Sequence, residues 1–140
     1  MPTLREIDQN SIWVENLIDP KDLHVPGTDS YAGEVVKEKE YLFPAYWCAI
    51  NPDVLRENMP AVSMQLVINA EIIPDEFIYS NNYDAKAGWH CYYRYVMLGG
   101  WKPGTQYLLE VRRTLSRKVF DGQSSYASGN YIYKLTLNVR

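Results

Sequence analysis

Ten residues at the C-terminal end of the chain alternate between two kinds of side chain. Tyr131, Tyr133, Leu135, Leu137 and Val139 hold one parity; Ile132, Lys134, Thr136, Asn138 and Arg140 hold the other. A repeat of two places the first set on one face of an extended strand and the mostly polar second set on the other. A helix, with its longer period, would scatter the same apolar set around its surface. The segment is therefore read as a strand with a core on one side, and the rest of the fold must supply that core.

The same pattern recurs. Thr105 to Arg113 carries Tyr107, Leu109 and Val111 in phase, Val62 to Ile68 carries Met64 and Leu66, and Cys91, Tyr93, Tyr95 and Met97 share one parity. Weaker strands are expected at Ile12 to Ile18, at Gly33 to Leu42 with its alternating Lys37, Glu38, Lys39 and Glu40, at Tyr46 to Ile50, and at Glu76 to Tyr79. Turn residues punctuate them: Pro26-Gly27, Pro103-Gly104, Asp121-Gly122 and Ser128-Gly129-Asn130. One helical turn is predicted at 52–58. Asn51 can cap it, Pro52 suits its first position and Asp53 favours the positive end of its dipole.

Many short strands and no long helical window predict an all-β chain, an antiparallel two-sheet sandwich of seven or eight strands. Residues 1–140 are expected to form one domain, with 1–30 weakly patterned and extended. The hydrophobic share of 46 % is too high for a disordered chain. Twelve Tyr and four Trp beside three Phe suit both a pleated core and a recognition face.

Composition excludes several classes. A net charge of −3 lacks the basic footprint of a nucleic-acid binder. No apolar run approaches the ~20 residues of a membrane span. Met1-Pro2-Thr3-Leu4-Arg5-Glu6 has neither the basic start nor the apolar stretch of an export signal.

Cys48 and Cys91 are the two cysteines. Tyr46, Cys48 and Ile50 share a parity, as do Cys91, Tyr93 and Tyr95. If both faces point inward from opposing sheets, a cross-sheet disulfide is geometrically natural. The alternative is two buried free thiols, which would fit a cytoplasmic protein. Two cysteines so far apart and without CxxC spacing are not a zinc pattern.

Taken together, Tyr46-Trp47-Cys48-Ala49, the turn from Asn51 to Asn58, Val62 to Ile68, Cys91-Tyr92-Tyr93, Gly100-Trp101-Lys102-Pro103-Gly104, Asp121-Gly122, Tyr126 and Gly129-Asn130-Tyr131 resemble a group of uncharacterised exported bacterial proteins with an immunoglobulin-like β-sandwich domain. The resemblance covers residues 40–140. It implies an immunoglobulin-like fold, export to the cell surface or medium, a disulfide, and no named activity.

Candidate chemistry is sparse. His24 reads as a loop residue. His90 neighbours Cys91, but adjacent strand residues point to opposite faces and cannot easily form a nucleophile pair. No GxSxG, HExxH or Gly-rich phosphate loop is present, so no catalytic residue, cofactor or metal is assigned and the chain is not read as an enzyme. Asp75, Glu76 and Asp84 read as solvated turn acids. Asn81, Asn82 and Asp84 could offer calcium oxygen ligands, but at no EF-hand spacing.

Two sets remain. Trp89, Tyr92, Tyr83 and Trp101 could stack on sugar rings. Arg112, Arg113, Arg117 and Lys118 form the one basic cluster and could contact an anion. The expected function is a non-catalytic extracellular structural or protein-interaction module (an adhesin-like, surface or filament subunit) with a protein partner or self-assembly. The N-terminal thirty residues could be its donated strand. The alternative is a carbohydrate-binding module using the exposed Trp and Tyr.

Overall fold

In the computed structural model, which describes residues 12–17, 23–84 and 88–140, the chain is an all-β sandwich. In chain order its elements are β1 (Ile12–Trp13), β2 (Gly27–Val35), β3 (Tyr41–Ala49), α1 (Pro52–Asn58), β4 (Val62–Ile68) and β5 (Glu71–Ile72). There follow β6 (Tyr79–Asp84), β7 (His90–Leu98), β8 (Gln106–Leu115), β9 (Val119–Phe120), β10 (Ser125–Tyr126) and β11 (Gly129–Val139). One sheet has the order β1-β3-β7-β6, the other β2-β11-β8-β4-β5, and β9 with β10 forms a small hairpin. Pairing is antiparallel except at two places, β1 on β3 and β2 on β11, which run parallel.

The alternation decides what faces the core. On β11, Tyr131, Leu135, Leu137 and Val139 are buried, and on β8 Leu109 and Leu115 are buried beside them. On β3 the inward set is Tyr41, Phe43, Ala45, Trp47 and Ala49, all buried. One cluster fills the space between the sheets around Phe43, Leu66, Leu109 and Leu137. A second, around Trp47, Leu55, Val119 and Tyr131, closes one end with the help of α1. Each such side chain withdrawn from water contributes roughly 1.5–3 kcal/mol.

The helix forms as its cap predicts. The Asn51 side chain accepts the Val54 N–H at 2.9 Å, Pro52 occupies the first turn and Leu55 is buried. By leading from β3 into β4, α1 carries the chain from one sheet to the other.

Four expectations need correction. Of the expected strand at 12–18, Ile12–Trp13 form a two-residue strand and Val14–Leu17 a 3-10 turn, while Ile18 lies outside the described residues. Consecutive Trp13 and Val14 are both buried, Trp13 against Leu42 and Tyr95 on the outer face and Val14 in the inter-sheet core. These residues thus pack on the chain's own β3, and β2 pairs with its own β11. The proposed donated strand otherwise falls on residues outside those described.

The expected strand at 33–42 is two strands. The alternating charges Lys37 to Glu40 have no apolar face to bury, so they turn instead, with Lys39 N–H donating to Val36 O. β2 begins earlier, at Gly27, and β3 runs through Pro44. Among the described residues, only Ile12 and Trp13 pair with β3 on the side away from β7. A proline is tolerated where the ladder demands no donor.

The expected strand at 76–79 gives way to a 3-10 turn at Asp75–Phe77, started after Pro74. The strand lies beyond it, at 79–84, so Asn81, Asn82 and Asp84 sit on β6 rather than in a loop. Neighbouring Asn81 and Asn82 then point to opposite faces and cannot converge on one ion.

The disulfide is present between Cys48 and Cys91, but it is not cross-sheet. The two cysteines are register partners on adjacent β3 and β7, with Cα atoms 4.0 Å apart. Because Trp47 and Ala49 face inward, Cys48 lies on the outer face, next to the Tyr46–Tyr93 stack at 4.8 Å. Both parities of Tyr46 to Ile50 are apolar, so periodicity could not choose the inward one.

Candidate functional site

Between the sheets lies a cavity of about 570 Å³. Phe43, Ala45 and Trp47 of β3 line one wall, and Leu109, Val111 and Arg113 of β8 with Tyr133 and Leu135 of β11 line the opposite one. The β9–β10 hairpin contributes Asp121, Gln123, Ser124 and Tyr126, and Trp89 and the exposed His24 complete the rim. Protein interiors ordinarily leave few voids larger than a water molecule. A space of this size falls in the range of small-molecule sites.

Arg113 is the residue out of keeping with these walls. It continues the inward parity Tyr107, Leu109, Val111 and is only 8 % exposed. Its guanidinium carbon stands 5.2 Å from the Trp47 ring centroid and 5.7 Å from that of Tyr133, within the distance at which a cation is held by ring faces. Its Nη2 donates to the Tyr46 carbonyl at 2.8 Å. Its Nε is buried without a hydrogen-bond partner. Among the described residues no carboxylate lies within ion-pair distance of it.

Asp121 is the other buried charged group on these walls. Its Oδ1 accepts the Gln123 and Ser124 N–H groups, each at 2.8 Å, and its backbone carbonyl accepts the Ile50 N–H. Its carboxylate thus holds the hairpin turn. His24 stacks on Tyr126 with ring centroids 4.8 Å apart.

The basic cluster of the sequence is dispersed. Arg112 faces outward and pairs with Glu110, which also meets Lys134. Arg117 is exposed and donates to the carbonyls of Glu57 and Lys118. Lys118 is exposed. Arg113 alone turns inward.

The stacking aromatics are likewise separated. Trp101 is buried, donates its indole N–H to Lys39 O at 3.0 Å and packs edge-on to Tyr41 and Tyr107. It is a packing residue, with no face to offer a sugar. Tyr92 is half-buried and packs against the main core, beside a second cavity of about 390 Å³ that it lines with Met64 and Arg94. Trp89 alone of the set lines the inter-sheet cavity, and the side chain of Tyr83 lies outside the described residues.

His90 contacts Asp84 across the β6–β7 ladder at 2.7 Å, and the strand turns it to the face opposite Cys91. Asp75 pairs with Arg94. Among the described residues no group of three or more His, Cys, Asp or Glu is placed to hold a metal ion. No helix among them is long and apolar enough to cross a membrane.

Sequence reasoning named Arg113, but only as part of a surface cluster, and it missed Trp47, Tyr133 and Tyr126 as cavity walls. The signal for Arg113 was present: a cation in phase with the apolar face of its own strand. The fold and the cavity define a β-sandwich with an inter-sheet cleft. No protein-family model and no curated protein matches the chain.

Proposed function

We propose that this chain is a non-catalytic, immunoglobulin-like binding module of an exported protein, and that its ligand enters the cleft between the sheets. The observation that carries the reading is the cavity of about 570 Å³, walled by both sheets and rimmed by aromatic rings.

The strand order supports the immunoglobulin-like part. β3, β7 and β6 stand side by side, as B, E and D do in such domains, and β11, β8 and β4 stand as G, F and C. β5 extends that sheet beyond β4, in the place of C′. The disulfide supports export, since such bonds persist in oxidising compartments. The resemblance of residues 40–140 to exported sandwich proteins points the same way.

The test is a thermal-shift and tryptophan-emission screen of apolar anions, neutral apolar compounds and soluble glycans. A cleft ligand raises Tm and changes the emission of Trp47 and Trp89. Both effects are lost in Val111→Phe, which fills the cleft. No response from any of the three groups would remove the reading.

A protein partner is the second reading. β6 is an edge strand among the described residues. Tyr79 on it is 48 % exposed, Phe77 just before it 64 % and Met97 on the neighbouring β7 39 %. Exposed apolar side chains beside an unpaired edge suit strand addition by another chain. Concentration-dependent association that Phe77→Glu abolishes would favour it. A monomer at all concentrations would dispose of self-assembly through this edge.

A further inference from the structure

A guanidinium that is nine-tenths buried has given up its hydration and needs compensation. Elsewhere in this molecule the compensation is visible. Arg94 also has a buried Nε without a partner, but its Nη2 meets the Asp75 carboxylate. Arg112 meets Glu110. Arg113 has two ring faces and one carbonyl, and no acid among the described residues. It also borders the inter-sheet cavity, which Phe43, Val111 and Leu135 line as well.

A guanidinium presents planar, paired donors that match a carboxylate, and a pair formed away from water is far stronger than one at the surface. Among the described residues the one acid lining this cavity, Asp121, is committed to its own turn. Among the described residues no acid is free to supply charge complementarity at Arg113, and a bound anion would supply it. We propose that the cleft takes an organic monocarboxylate with an apolar body, the carboxylate on Arg113 and the body among Phe43, Val111 and Leu135. This rests on the cleft-binding reading and adds the chemical class of the ligand.

The experiment is isothermal titration of the intact, disulfide-bonded protein with dodecanoate and with naphthylacetate, each against its methyl ester. The ester keeps the apolar body and removes the charge, so the comparison needs no variant. Each acid is expected to bind tighter than its ester by roughly tenfold to a hundredfold, the worth of a hydrogen bond to a charged group. Arg113→Met, which keeps the apolar stem, should erase that preference, and Arg113→Lys should keep part of it.

An ester that binds as tightly as its acid would overturn the proposal while leaving a ligand-binding cleft. So would binding of a neutral compound or a glycan in the cleft with no response to either acid. An acid preference that survives Arg113→Met intact would place the anion elsewhere and also overturn it. If nothing binds, both the proposal and the cleft-binding reading fall.

Discussion

The indole N–H of Trp47 donates to Asn58 Oδ1 at 2.9 Å, and both residues are buried. The Asn58 amide in turn donates to the carbonyl of Phe120 at 3.0 Å. One side chain at the end of α1 thereby joins β3 to the β9–β10 hairpin, and so sets the position of one cleft wall against the other.

Replacing Asn58 should cost more than a surface position on a helix would suggest. Asn58→Ala leaves the Trp47 N–H and the Phe120 carbonyl without partners, each at roughly 1–3 kcal/mol. The loss expected in urea unfolding is about 2–6 kcal/mol. A change below about 0.5 kcal/mol, the size of an ordinary surface substitution, would show that water replaces the amide at no cost.

The Cys48–Cys91 bond closes a span of 43 residues. In the chain-entropy model such a cross-link stabilises by about 4 kcal/mol. Alkylation of the denatured, unreduced protein should add no mass, and reduction should lower the unfolding free energy by that order. Two alkyl adducts on protein made under oxidising conditions would refute the bond.

Gly122 adopts φ +102°, and a Cβ there would stand 2.0 Å from Ile50 Cγ2. Gly122→Ala should therefore destabilise through both backbone strain and the clash, by more than 1 kcal/mol or so. Ile50→Ala in the same background removes Cγ2 but keeps a Cβ 2.7 Å away, so it should recover only part of the clash and leave the strain. Strict additivity of the two substitutions would mean that the hairpin moves aside instead.

Tyr95 is buried on the outer face, and its hydroxyl has no hydrogen-bond partner. Burial, with the neighbouring Tyr79 adding to it, raises its pKa above the ordinary 10.0. The folded chain holds this proton to higher pH than the unfolded chain does. Stability from the group is thus whole below pH 10 and is lost as pH rises through the folded value. Tyr95→Phe should be neutral or stabilising at neutral pH, since it removes an unpaired buried hydroxyl. It should also reduce the alkaline loss seen in denaturation at successive pH values. An unchanged alkaline limb would assign that loss to other groups.

Strand by strand, legibility followed the cleanness of the alternation. Val62 to Ile68 matches β4 residue for residue, and Tyr131 to Val139 lies within β11, because each has one face that only a core can satisfy. The cap at Asn51 was readable because its chemistry is local. The segments at 12–18, 33–42 and 76–79 misled because neither parity was clearly the buried one. The candidate site was legible only in fragments. Arg113 was visible as a cation but not as an interior one, and Trp101 looked available while packing claims it.

The amino-acid order by itself determined the class of the fold: period two in the strong strands, turn residues between them and one capped helical turn. Those are properties of neighbours along the chain. Only the tertiary structure decided that Cys48 and Cys91 are neighbours within one sheet, that Arg113 points between the sheets, and that Trp47 and Tyr133 come to flank it from opposite walls. These depend on which strand lies beside which, and that order is set by how distant apolar faces bury one another.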